Sequence, residues 1–152
     1  MQKLLILVRK LKTFLTIDRR YKISFVKAYI YTGIVRFLIL FIPFKKLSRI
    51  IGKSKEESPM KVNDEAYRIA KEVRWVVTKA AMHTPWESKC LVQSITAQKM
   101  MKEKGISTTL YLGVKKNSKG DMTAHSWIRC GEYYITGGSN EEGYGVVAKF
   151  SN

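Results

Sequence analysis

Thr84-Pro85-Trp86-Glu87-Ser88-Lys89-Cys90-Leu91 places a cysteine at the predicted start of a helix, and Ala124-His125-Ser126-Trp127-Ile128 places a histidine on a predicted strand 35 residues later. A cysteine attacks as thiolate, and both a helix N-terminus and a neighbouring imidazolium favour that form. Backbone N–H groups at the same helix start can hold the oxyanion that forms when sulfur adds to a carbonyl. The imidazole can then protonate the departing amine. Cys90 and His125 are therefore the candidate nucleophile and base, set against the plainer reading of an inert buried thiol and a satisfied core histidine.

The surrounding pattern supplies the elements this chemistry needs. Asn63 has the character of an N-cap, followed by Asp64 and Glu65 and by Ala66, Ile69, Ala70, Val73, Val76, Val77 and Ala80 at helical spacing. His83, Thr84 and Pro85 end that helix. A second helix is expected from about Ser88 to Lys104, with Gly105 just past its end. The period then changes: Thr108 to Val114, Thr123 to Cys130, Tyr133 to Thr136 and Tyr144 to Phe150 read as antiparallel strands. On the second of these, His125, Trp127 and Arg129 share one face and Ser126, Ile128 and Cys130 the other. Cys130 is thus turned away from His125 and reads as a small core residue. His83 reads as a surface or packing residue. No cysteine–histidine pair has metal-ligand spacing, so neither a metal nor a cofactor is expected.

Upstream, the chain is helical and basic. Of the formal +16 charge, residues 1–60 carry 14 Lys/Arg against 3 Asp/Glu and residues 61–152 carry 14 against 9. That balance favours an anionic partner, but no zinc spacing, helix-turn-helix pattern or aromatic RNA-binding motif accompanies it, so nucleic acid is not expected. Leu4, Leu7, Val8, Leu11, Phe14 and Leu15 mark one face of a helix over 3–16. They either pack onto the rest of the chain, presenting only the basic face, or stay free. Tyr21 to Ile42 is the most apolar stretch, yet Lys22, Lys27 and Arg36 leave uncharged runs of only eight residues, Ala28–Val35 and Phe37–Phe44. A spanning helix needs ~20 predominantly apolar residues. The alternatives are a buried core helix and one making peripheral membrane contact. Pro43 and Gly52 bound a short basic helix over 44–51, and Lys53 to Met60 reads as a polar linker. We expect a basic helical region over 1–52 and a catalytic unit over 60–152. The apolar run from Leu4 to Val8 is too short for a secretory h-region, which with two cysteines suggests a cytoplasmic protein with reduced thiols.

Trp86…Cys90-Leu91…Ser94, Leu110-Tyr111-Leu112-Gly113-Val114 and Ala124-His125-Ser126-Trp127 together resemble the transglutaminase-like leader peptidases of lasso-peptide biosynthesis. Val35-Arg36-Phe37-Leu38…Phe41-Ile42-Pro43-Phe44-Lys45-Lys46-Leu47 is similar to the helical lead-in of that family. The resemblance implies an α+β fold, with a helical N-terminal part and a transglutaminase/papain-like core whose catalytic helix packs on a small antiparallel sheet. It implies a cysteine protease that removes the leader of a ribosomally made precursor peptide. Its partners would be the precursor, a leader-recognition protein docking on the basic first part, and a lasso cyclase. No ATP-binding glycine loop is present, so any ATP dependence belongs to a partner. The family often orients its histidine with an Asp about twelve residues on; Gly137 stands there. Asp121 precedes His125 by four residues, about 13 Å along a strand, too far to orient the ring. Thr136, Asn140 or a backbone carbonyl are the substitutes. Another acyl-transfer enzyme, a transglutaminase or amidase, and a non-catalytic peptide-binding module are the alternative readings.

Overall fold

The computed structural model describes residues 2–152, with the side chain of Asn140 outside the described residues. Helices α1 (Gln2–Thr16), α2 (Arg19–Phe41) and α3 (Phe44–Ile51) lead into a two-residue strand β1 (Lys53–Ser54). Helices α4 (Asp64–Ala81) and α5 (Cys90–Lys102) follow, then β2 (Thr109–Lys116), β3 (Met122–Cys130), β4 (Tyr133–Thr136), a 3-10 turn (Gly138–Asn140) and β5 (Gly145–Ser151). The fold is α+β, and its sheet is antiparallel in the order β1-β5-β2-β3-β4.

Local chemistry explains the boundaries. The Asn63 side chain accepts from the Ala66 N–H, and Asp64 and Glu65 occupy the favourable end of the α4 dipole. α5 ends at Lys102, and Gly105 beyond it, with φ 70°, lets the Ile106 N–H fold back onto the Met101 carbonyl. α4 buries Ala66, Ala70, Val73, Val76, Val77 and Ala80, the face its periodicity predicts. α5 is enclosed on almost every side, burying even Ser94, Thr96 and Gln98, because α2 and α4 cover one side of it and the sheet the other.

Three details depart from expectation. The stretch 53–60 is not a free linker: Lys53 and Ser54 pair with Ser151 and Phe150, so the sheet has five strands rather than four. Ser58 is buried, and both its N–H and its hydroxyl bond the Thr109 hydroxyl. α1 buries none of its residues; near its end Phe14 meets Phe25 of α2 edge-on at 6.4 Å. α2 is a core helix on one side only; Ala28, Thr32 and Val35 are inside while Ile23, Val26, Ile30, Ile34, Phe37 and Phe41 are exposed. One apolar cluster nevertheless runs from α2 and α3 through α4 and α5 to the sheet, including Ala28, Val35, Leu47, Val76, Met101, Leu110 and Ile128.

Candidate active site

Cys90 is the first residue of α5, half-exposed, with Lys89 as N-cap and no side-chain bond capping the helix. The first N–H groups of α5 therefore lack the side-chain partner that caps many helices. The turn before it is built from hydroxyls: Thr84 Oγ1 donates to the Trp86 carbonyl (3.0 Å) and lies 2.8 Å from Ser88 Oγ. Gln93 Nε2 closes the turn onto the Ser88 carbonyl at 2.8 Å.

That turn is tied to α2. The Trp86 indole N–H donates to Thr32 Oγ1 (3.2 Å), and its ring meets Tyr29 edge-on at 5.1 Å between centroids. Gly33 admits the ring: a Cβ there would sit 3.0 Å from the indole. Arg36 pairs with Glu87 at 2.8 Å, and the Lys89 hydrogen bond, aided by Arg36, holds the Glu87 carboxyl below the usual carboxylate range. A helix outside the expected catalytic unit thus anchors the Cys90 turn. Gly33→Leu is expected to expel the indole and slow any reaction at Cys90 by about tenfold or more while α4 and the sheet stay folded. Reaction rate measured beside far-UV circular dichroism separates that outcome from unfolding.

His125 lies midway along β3. Its ring bonds the Gly137 carbonyl at 2.8 Å through Nε2. A carbonyl can only accept, so in the neutral ring Nε2 carries the hydrogen and Nδ1 keeps the lone pair. Trp127 stacks on the ring at 5.8 Å and 26°, and Tyr144 flanks it at 5.2 Å. Gly113, opposite His125 in the ladder, makes this possible; a Cβ there would lie 2.7 Å from the Trp127 ring. His125, Lys115, Ser139, Glu142 and Tyr144 line an open cleft of about 420 Å³.

Gly137 has φ 74°, and a Cβ on it would fall 2.4 Å from the Ser126 carbonyl. That backbone contact leaves no room for an aspartate, and a backbone carbonyl occupies the place of the orienting side chain. Thr136, a candidate for that part, directs its hydroxyl into the core, 2.9 Å from Ser94 Oγ. The expectation for the Asn140 side chain lies outside the described residues. Asp121 sits in the β2–β3 turn, bonded to Asn117 through its own N–H and carbonyl.

Strand alternation holds. Ile128 pairs with Thr136 on the α5 side, while Trp127 pairs with Tyr111 on the other. By that alternation His125 shares the Trp127 face of β3. It meets Gly137 beyond the end of β4, along the edge of β3 that β4 leaves unpaired. Ser94, one turn along α5 from Cys90, bonds Thr136, and His125 bonds the next residue. The end of β4 is thus the shared anchor of both elements. Among the described residues no hydrogen bond joins the Cys90 sulfur to the imidazole. Cys130 is fully buried on the α5 side, and burial pushes its thiol pKa up despite the adjacent Arg129 charge, which keeps it protonated. His83 is exposed, with Nδ1 at 2.7 Å from the Lys79 carbonyl. No cluster of three metal-ligating side chains occurs among the described residues.

No curated protein and no solved structure matches this chain. A family model for the transglutaminase-like superfamily matches residues 35–149, from the middle of α2, one residue before Arg36, through the Cys90 helix and the His125 strand into β5. That match covers most of the sequence, and the chain belongs to the transglutaminase-like superfamily.

Proposed function

We propose that this chain is a cysteine peptidase that removes the leader from a ribosomally made lasso-peptide precursor, with Cys90 as nucleophile and His125 as base. The superfamily fold is one of thiol-based acyl transfer and proteolysis. The observation that carries the reading is the Nε2–Gly137 bond, which leaves Nδ1 as the ring atom free to take a proton. In unliganded enzymes the nucleophile–base bond is often long and tightens with substrate.

The steps follow from the atoms available. Nδ1 takes the thiol proton; the sulfur adds to the scissile carbonyl, and the uncapped N–H groups at the start of α5 stabilise the oxyanion. The tetrahedral adduct collapses to a thioester as the imidazolium protonates the departing amine. Water, deprotonated by Nδ1, then cleaves the thioester and restores the thiol. The order of precursor, leader-recognition protein and cyclase belongs to this proposal, as does a cytoplasmic setting.

Incubating the protein with a candidate precursor, with and without its recognition protein, tests the specific substrate. Mass spectrometry should find one cut at the leader–core boundary. Iodoacetamide tests the chemistry independently: Cys90 should react faster than a free thiol at about pH 6, and His125→Ala should remove that advantage. Reaction no faster than a free thiol would sink the enzyme reading, whereas fast alkylation without precursor cleavage would remove only the substrate.

A further inference from the structure

Beyond its first turn the exposed residues of α2 are all apolar, and all but Leu40 fall on one stripe. Ile23, Val26, Ile30, Ile34, Phe37 and Phe41 succeed one another at three- and four-residue steps, all solvent-facing, with Phe41 68% exposed. The stripe spans 18 residue steps, about 27 Å along the axis, and carries no hydrogen-bonding side chain. Exposed apolar area on this scale marks an interaction site rather than ordinary surface.

α2 is long and apolar enough to cross a membrane. Its other face excludes that role in this fold. Thr32 holds Trp86, Arg36 pairs with Glu87, Tyr31 donates to Glu103 at 2.6 Å, and Ser24 bonds Glu72. Spanning would strip all four bonds and carry the charged groups into hydrocarbon. A helix fixed on one side and apolar on the other can lie in an interface, where a single stripe sinks ~5–10 Å.

Charge selects the surface it would lie on. Residues 1–60 carry 14 Lys/Arg against 3 Asp/Glu. α1 shows the same design: Leu4, Leu7, Val8, Leu11 and Leu15 share a sector, and Lys3, Lys10 and Lys12 sit at its rims. All five of those apolar residues are exposed. α3 continues it, with Phe44 and Ile50 exposed beside Lys45, Lys46 and Arg49. The stripes of α1 and α3 are flanked on their own helices by cations alone, and that of α2 by Lys22 and by Lys27, which pairs with Glu103; such a face complements a bilayer with anionic headgroups. We propose that the α1–α3 face seats this protein peripherally on an anionic membrane surface, with α2 lying in the interface plane.

Flotation of the full chain with vesicles of phosphatidylcholine, with and without phosphatidylglycerol, tests this. The wild type should float with the anionic vesicles, less so in high salt, and barely with neutral ones. Ile30→Lys/Phe37→Lys should lower binding by about tenfold or more, since it places charge in the inserted stripe without touching the packed face. Arg9→Glu/Lys10→Glu/Lys12→Glu should do likewise through charge. Cys90→Ala should float like the wild type, which separates this proposal from the catalytic one. Absent flotation with anionic vesicles, or equal flotation of both variants, would overturn it. So would a wild type that is oligomeric in size-exclusion chromatography and made monomeric by Ile30→Lys/Phe37→Lys, which would make the face a protein interface.

Discussion

Cys90→Ala and His125→Ala are each expected to abolish precursor cleavage, by roughly ten-thousand-fold or more, without unfolding the protein. Cys90 is half-exposed at a helix start, so losing its sulfur leaves little cavity. His125 is also half-exposed, and its ring's one hydrogen bond reaches a carbonyl that water can take over. The two losses should not add, because thiol and imidazole act as one unit. Cys130→Ala sets the contrast. It opens a small hole in the fully buried core and should cost about 1 kcal/mol of stability, but should leave cleavage within about twofold. Cleavage that survives Cys90→Ala and fails with Cys130→Ala would reverse the assignment.

Much of this site was legible because it is written in periodicity. The cap at Asn63 and the apolar steps to Ala80 define α4, and alternation along β3 separates His125 from Cys130. What escaped depends on partners remote in sequence. β1 is two polar residues, Lys53 and Ser54, and becomes a strand only because the last strand presents a free edge to it. α5 is expected from about Ser88 to Lys104, but its enclosure is not: a helix buried on nearly all sides has no polar face to contrast with, and its stripe is weak. The Gly137 carbonyl is invisible as a residue type, since every residue has one. Its trace is indirect, in the Gly137-Gly138 pair, where left-handed backbone and close packing leave no room for a Cβ. Trp86 stands in the motif before Cys90, but its anchor at Thr32 and Gly33 depends on how α2 packs.

Arg129 holds a buried latch that sequence pattern does not reveal, and removing it should produce a large loss of stability. It is 4% exposed, and all three guanidinium nitrogens donate. Nε reaches the Tyr111 hydroxyl at 2.9 Å; Nη1 reaches the Gly131 carbonyl at 3.0 Å and that of Pro59 at 3.4 Å; Nη2 reaches the Ser58 carbonyl at 3.0 Å and Glu57 at 3.3 Å. Five acceptors from three segments converge on one planar fork, a geometry a lysine cannot reproduce. Arg129→Ala leaves the buried Ser58 and Gly131 carbonyls without this donor and should cost about 3–5 kcal/mol, a fall in melting temperature on the order of 10 °C. Arg129→Lys should recover little of it. The effect should also reach the imidazole. Tyr111, gripped by Arg129, stacks on Trp127 at 5.6 Å and 15°, and Trp127 in turn stacks on His125. Tyr111→Phe keeps the stack but loses the hydroxyl, so it should cost only about 1 kcal/mol and preserve activity. The latch has a pH signature as well. The Lys149 hydrogen bond, together with the Arg129 charge, holds the Glu57 carboxyl below the usual carboxylate range. A lowered folded-state pKa means the Glu57 contribution is complete above the ordinary carboxylate value and fades as pH falls through the lowered one. Melting curves of wild type and Glu57→Gln should therefore differ at neutral pH and converge in acid. If Arg129→Ala melts within a degree or two of the wild type, the 57–59 segment is held by Ser58 and Thr109 instead, and the link from Arg129 to His125 fails with it.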